Sequence, residues 1–359
     1  MSKFHPLAVA QVSHETRDAI VVTFAVPPEL QESFRFQQGQ HLTLRSRIGG
    51  EDVRRSYSIC SAVQDGALRV AIKRSPGGVF STWANDTLQP GAVLDVMPPM
   101  GHFNVPLSAG QRKHYLAIAA GSGITPILSI VKTTLLAEPH SRFTVVYGNR
   151  ASSSVIFKEA LADLKDLYME RLTLAYVMSR EQQDIDLFNG RITREKCEQL
   201  LKHWVRAEDI DVAFICGPED MMLGAAAALQ AAGMDRRNIK IERFAASIPR
   251  HEHKPRAQAQ AAARQATEVT LIMDGYRSTF TMDREKESIL DAGLRQGLDM
   301  RYSCKGGVCS TCRCKLISGK VDMDVNHALE DYEIARGFIL SCQSFPVTDK
   351  VVVDFDQAG

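Results

Sequence analysis

The 359-residue sequence has no apolar run close to the 18 or so residues that a membrane-spanning helix needs. It also lacks a basic excess. Its 43 Lys/Arg face 42 Asp/Glu, a net charge of +1, so the usual electrostatic signature of a nucleic-acid partner is missing. Aromatic side chains are sparse at 7%, so the 45% hydrophobic content is mainly aliphatic, and it is ample for full-sized cores. The first 11 residues do not show the basic, then apolar, then small-residue order of a signal peptide. The expectation is a cytoplasmic protein that binds neither membrane nor nucleic acid. Eight cysteines without an export signal speak against a disulfide framework. Four of them crowd into residues 304–314, which implies a bound group.

The length predicts two or three domains. Short β-rich runs at 7–12, 19–26, 42–45, 55–60, 68–73 and 93–97, punctuated by Pro and Gly, predict a sandwich or barrel with one short helix at 79–85. Strands at 115–120, 143–147, 172–177, 212–216 and 239–243 then alternate with helical patterns. Phe157, Leu161, Leu164 and Tyr168 fall on one helical face, as do Cys197, Leu200, Leu201 and Trp204. Thr125-Pro126 reads as a helix start, with a hydroxyl N-cap and Pro in the first helical position. Such alternation predicts an α/β doubly wound parallel sheet with ligands at the carboxyl ends of its strands. The boundaries are placed at 1–110, 111–245, a linker at 246–267 that could hold a short helix at 257–263, and 268–359. The last segment predicts strands at 269–273, 279–282 and 350–355 and a helix at 288–296. It holds 11 Lys/Arg and 15 Asp/Glu, so the rest of the chain is net positive. Ordinary scatter explains that difference as well as complementary docking faces do.

The cysteine spacing is Cys304-x4-Cys309-x2-Cys312, with Cys342 after 29 intervening residues. This is the plant-type spacing for a [2Fe–2S] cluster, in which four thiolates hold two irons. Gly306 and Gly307 would let the loop wrap closely around the inorganic sulfides. Zinc is the rival, but structural zinc sites usually carry two C-x2-4-C knuckles and only one is present. The segment from Tyr302-Ser303-Cys304 to Cys314, with Leu340-Ser341-Cys342, resembles the plant-type ferredoxin domain, an α+β β-grasp fold. Cys314 stands where ferredoxins commonly place a small residue, and by spacing it is a packed thiol and no ligand.

Arg55-Ser56-Tyr57-Ser58 ends a predicted strand, and Gly77-Gly78-Val79-Phe80-Ser81 is a glycine turn opening a helix. Alone, the first is an ordinary cation–π pair and the second a weak pyrophosphate signal. Together they resemble the R-x-Y-S and G-x-x-S elements of the ferredoxin–NADP reductase family, whose antiparallel β-barrel holds a flavin. The resemblance implies that Tyr57 stacks on the ring system, Arg55 pairs with the phosphates and Ser58 bonds the flavin. It also implies that Ile72 and Lys73 flank the flavin through their backbone, with Ser56, Gly77, Gly78 and Ser81 completing the site. FAD is implied, although the wider architecture also uses FMN.

Gly121-Ser122-Gly123-Ile124-Thr125-Pro126 follows a strand and opens a helix, with Pro126 where the common dinucleotide fingerprint has Gly. It resembles the same family's G-x-G-x-x-P turn, where Gly121, Gly123 and Pro126 pass the phosphates and Thr125 faces the nicotinamide. Cys216-Gly217-Pro218 resembles its C-G-P element at the nicotinamide pocket, and Glu242 and Phe244 fall near where the family places a carboxylate and an aromatic by the flavin. Ser179 and Arg180 offer a hydroxyl and a guanidinium to an adenosine 2′-phosphate, with Arg150 assisting, which predicts NADPH over NADH.

These resemblances imply a reductase component of a multicomponent oxygenase, carrying electrons from NADPH through FAD and a [2Fe–2S] cluster to a di-iron oxygenase. Two alternatives remain at this point. One is a reductase for another oxygenase, a desaturase or a hybrid-cluster protein; the other is a redox sensor or scaffold that keeps the cofactors.

Overall fold

A computed structural model describes residues 4–244 and 266–357. The first sheet comprises β1 (His5–Thr16), β2 (Ala19–Ala25), β3 (His41–Ile48), β4 (Glu51–Ser58), β5 (Leu68–Lys73) and β6 (Val93–Val96), in the order β4-β3-β6-β1-β2-β5. Its ends meet through an antiparallel bridge between Ile59 and Val70, which closes the sheet into a barrel. Leu7, Val22, Leu44, Val70 and Ile72 alternate inward along their strands and fill it. Helix α1 (Val79–Thr87) adds Phe80 and Ala84, four residues apart on one face, to the same core. β4 starts earlier than its apolar residues predict, because Gly49 and Gly50, with φ of 61° and 87°, make a tight hairpin directly before it.

The second sheet holds β7 (His114–Ala120), β8 (Arg142–Asn149), β9 (Leu172–Met178), β10 (Val212–Cys216) and β11 (Ile239–Glu242). Helices α2 (Ile124–Ala137), α3 (Lys158–Leu167), α4 (Arg194–His203) and α5 (Glu219–Ala231) connect its strands. All neighbours are parallel, in the order β11-β10-β7-β8-β9. The order reverses between β7 and β10, and a crevice opens there at the carboxyl ends of the strands. Two local expectations fail. Thr125 is not the N-cap of α2: a 3-10 turn, Gly121–Gly123, runs straight into the helix, and the Thr125 hydroxyl donates back to the Ser122 carbonyl at 2.8 Å. Phe157 is not in a helix. It is buried just before α3 at φ 61°, with its N–H donating to the Glu15 carboxylate at 3.1 Å.

These two sheets share one compact unit. Phe103 packs edge-on against Phe214 at 5.4 Å, Lys132 pairs with Asp65 at 2.6 Å, and the Val63 N–H donates to the Thr133 hydroxyl at 3.1 Å.

A smaller unit is built on β12 (Ala266–Met273), β13 (Tyr276–Asp283), α6 (Ile289–Arg295), β14 (Arg313–Ser318), β15 (Val321–Met323), α7 (Asp331–Ala335), β16 (Phe338–Leu340), β17 (Ser344–Pro346) and β18 (Lys350–Asp354). Its main sheet runs β13-β12-β18-β14-β16, with β12 and β18 parallel, and β15 pairs with β17. Ser288 caps α6 by accepting from the Asp291 N–H at 3.1 Å, and Ile289, Leu290 and Ala292 turn into the core. Ala266 and Thr267, assigned to the linker by composition, pair with Asp283 and Met282 in β12. The rest of the linker, with its suggested helix at 257–263, lies outside the described residues. Among the described residues no helix is long and apolar enough to cross a membrane.

Candidate functional site

Two turns meet at the switch point. Gly121 (φ 54°) follows β7, and the Tyr147 hydroxyl donates to its carbonyl at 3.0 Å. A Cβ added at Gly123 would lie 2.0 Å from the Cys216 carbonyl oxygen, so the turn after β7 and the end of β10 touch main chain to main chain. Only glycine allows that approach. Cys216 is buried and stands in register with Glu242 on β11, while Gly217 and Pro218 carry the chain into α5. Burial first, and the Glu242 charge second, push the Cys216 thiol well above its usual value, so it stays neutral. Phe244 is half-buried two residues beyond β11. Pro126 falls in the first turn of α2, where its missing N–H costs nothing.

The barrel contributes its own turn. Gly77 (φ 69°) and Gly78 precede α1, whose first N–H groups receive no side-chain cap. The Ser81 hydroxyl instead fixes the turn: it accepts from the Ser75 N–H at 3.1 Å and donates to the Gly78 carbonyl at 3.3 Å. Asn85, which the sequence pattern does not single out, donates to the Ile72 carbonyl at 3.1 Å and to the Ser81 carbonyl at 2.8 Å, tying α1 to β5. A short polar residue inside a helix gives no distinctive signal. Tyr57 is half-buried with its ring 5.7 Å from Phe80, and Ser58 beside it is buried. On the same strand Arg55 is exposed and Ser56 half-buried. The Lys73 ammonium lies 3.9 Å from where a Gly121 Cβ would stand, so the end of β5 and the turn after β7 face one another. An uncapped helix start, a guanidinium and a partly open aromatic ring suit an anionic dinucleotide that carries a flat ring system.

At the tips of β8 and β9, the Ser179 N–H donates to Asn149 O at 2.9 Å and the Arg180 N–H to Arg150 O at 2.8 Å. These bonds hold Arg150 and Arg180 side by side, both exposed, and among the described residues neither is ion-paired.

In the smaller unit, Cys304 lies within hydrogen-bonding reach of Cys309, and Cys312 of Cys342. Among the described residues no three metal-binding side chains converge on a single ion. Two pairs suit two irons with two thiolates each, the ligation of a [2Fe–2S] cluster. The hydrogen bond with Cys309 lowers Cys304 to about 7. Cys309 and Cys342 are raised well above the usual value, first by their partner thiols and then by burial. Holding Cys309 and Cys342 as thiolates therefore calls for the positive charge that a metal group supplies. The loop is preformed around them. Lys305, Gly307 and Ser310 take positive φ, the Gly306 N–H points at the Cys304 sulfur at 3.2 Å, and a Cβ on Gly307 would lie 2.8 Å from the Val325 carbonyl. Thr311, equally silent in the sequence, hydrogen-bonds Cys309, and Arg313 forms a largely buried ion pair with Glu333. Cys314 is fully buried in the core, where burial raises its thiol well above the usual value.

Family models match in the same order. An oxidoreductase FAD-binding domain covers residues 6–105, an oxidoreductase NAD-binding domain 117–227 and a 2Fe-2S iron-sulfur cluster binding domain 271–347. The chain is 49% identical over 359 residues to a component of the 1,2-phenylacetyl-CoA epoxidase of Escherichia coli (strain K12), covering 100% of this chain and 99% of that protein. It is 35% identical to the ferredoxin reductase component of 3-ketosteroid-9-alpha-monooxygenase from Rhodococcus rhodochrous, over 97% of this chain and 96% of that one. Among solved structures, phthalate dioxygenase reductase matches with a TM-score of 0.58 at 22% identity, covering 98% of both chains, which establishes the fold. The chain belongs to the family of oxygenase reductase components that join FAD-binding, NAD-binding and 2Fe-2S domains in one polypeptide.

Proposed function

We propose that this oxidoreductase draws its electrons from NADPH and delivers them in the cytoplasm to a di-iron oxygenase acting on phenylacetyl-CoA, in phenylacetate catabolism. The observation that carries the choice of partner is the 49% identity, end to end, with the Escherichia coli epoxidase component. When bound, the nicotinamide supplies a hydride, the flavin accepts the pair, and the cluster handles one electron at a time. The chain's own residues bind, orient and exclude water. Gly121 and Gly123 would offer main chain to the dinucleotide phosphates, and Thr125, whose hydroxyl is tied to Ser122, would face the nicotinamide. Cys216, neutral and buried, and Glu242, its register partner, would line the nicotinamide site. Arg55, Gly77 and Gly78 address the flavin phosphates, Tyr57 its ring, and Cys304, Cys309, Cys312 and Cys342 the irons. No side chain is required as nucleophile or proton shuttle.

Preference for NADPH is supported by the paired Arg150 and Arg180 with Ser179 between the strand tips. Arg180→Ala should weaken NADPH binding by about 1.5–3 kcal/mol, the scale of a charge-assisted hydrogen bond, and leave NADH nearly unaffected. Equal losses with both cofactors would refute that role. The partner is tested by mixing the protein with the phenylacetyl-CoA oxygenase, NADPH and O₂ and measuring substrate oxygenation. Electron delivery to another oxygenase or a desaturase, but not to that one, would transfer the assignment.

A further inference from the structure

A carboxylate sits beside the arginine pair and is already engaged. After β8 the chain makes a 3-10 turn, Ser152–Ser154, and after β9 it runs through Ser179 and Arg180 to Glu181. Both carboxylate oxygens of Glu181 are taken by one residue: Oε2 accepts from the Ser152 N–H at 2.7 Å and Oε1 from the Ser152 hydroxyl. These hydrogen bonds, the hydroxyl's first, hold the Glu181 carboxyl below its usual value, so it is charged. Its chain neighbour Arg180 is locked against Arg150 by the ladder bond at 2.8 Å. An acid at such a strand tip is what an NAD site uses to bond the ribose hydroxyls, and its charge opposes a 2′-phosphate.

We propose that Ser152 is a specificity-determining residue: by occupying both oxygens of Glu181 it keeps this acid from the ribose position and leaves Arg150 and Arg180 to a 2′-phosphate. The inference rests on the NADPH reading above and deepens it. A simple turn cap would also explain the Ser152–Glu181 contact, but losing a cap would slow turnover with both cofactors alike. Losing a lock on Glu181 changes their ratio.

The experiment measures kcat/KM for NADPH and for NADH with ferricyanide on full-length holoenzyme. Ser152→Ala removes the hydroxyl and leaves the carboxylate held at one oxygen by the position 152 N–H, free to swing. It should lower the NADPH-to-NADH ratio by about tenfold, the scale of one charge-assisted contact. Adding Glu181→Gln to Ser152→Ala should return the ratio to within about threefold of the wild type, because an amide carries no charge to repel the phosphate. A ratio unmoved in Ser152→Ala, or equally low in the double variant, overturns the lock. Failure of the underlying reading looks different: wild-type protein that prefers NADH, or an Arg180→Ala protein that loses both cofactors equally.

Discussion

The cluster loop and the dinucleotide crevice are built on opposite principles. In the loop, side chains carry the chemistry: four thiols in two pairs, backed by the Thr311 hydroxyl and the Arg313–Glu333 pair. In the crevice, main chain carries it: Gly121, Gly123 and Gly217, with the Cys216 carbonyl against the Gly123 Cα. A metal demands particular donor atoms, whereas a pyrophosphate demands close approach and N–H groups that any residue can supply. The two regions should therefore fail differently when altered.

The largest effect belongs to the loop. Cys312→Ser should abolish cluster incorporation, read as loss of the two irons and two acid-labile sulfides per chain that the plant-type cluster implies. Zinc in wild-type protein purified without oxygen would break the comparison at its root. Cys314→Ser should keep the iron while losing about 1–3 kcal/mol of stability, the cost of a poorly satisfied buried hydroxyl. Iron loss in that variant would mean the ligand set is wrong.

A smaller effect is expected in the crevice. Gly123→Ala places a methyl against the Cys216 carbonyl, so the two turns must separate. Overpacking of this kind costs about 1–3 kcal/mol. NADPH oxidation should fall while iron content stays at the wild-type level. Iron lost in parallel would show that the two regions do not stand apart.

The smallest effect lies at the far end of β7 from the crevice. Burial first, and Arg142 second, depress His114 to about 4 from its ordinary 6.5. A depressed folded-state pKa means that the unfolded chain takes up the proton first. The stabilisation is whole above pH 6.5 and is lost as pH falls from there through about 4. With solvent screening of this half-exposed ring the loss is of order 1 kcal/mol. Both tryptophans, Trp83 and Trp204, belong to the larger unit, so their fluorescence follows its unfolding alone. Urea midpoints at pH 7.5 and pH 5 should diverge more in wild type than in His114→Gln; equal divergence removes His114 as the cause.

The cysteine spacing was legible because the donor type and the intervals are the site. The start of β1 was legible because burial on one face imposes a period of two, and β10 because a strand covered on both faces reads as an unbroken apolar run. Strands of three residues, such as β15, β16 and β17, have no period to show, and they are set by the loop they brace. Phe157 read as helical because its apolarity fits the α3 face, while its left-handed backbone goes with a hydrogen bond to Glu15, 142 residues away in sequence. Glu181 could be seen as an acid near Arg180, but its engagement by Ser152 needs the two strand tips side by side.

The contact between Gly123 and Cys216 also bears on how such a protein diversifies. Because the two turns meet where two backbones touch, their spacing is fixed by main chain, and no side chain can be added at Gly123 without moving them apart. The exposed tips of β8 and β9 carry no such constraint. Sequence change is thus channelled to a few surface positions, and a descendant can vary there while the spacing of the two turns is inherited intact.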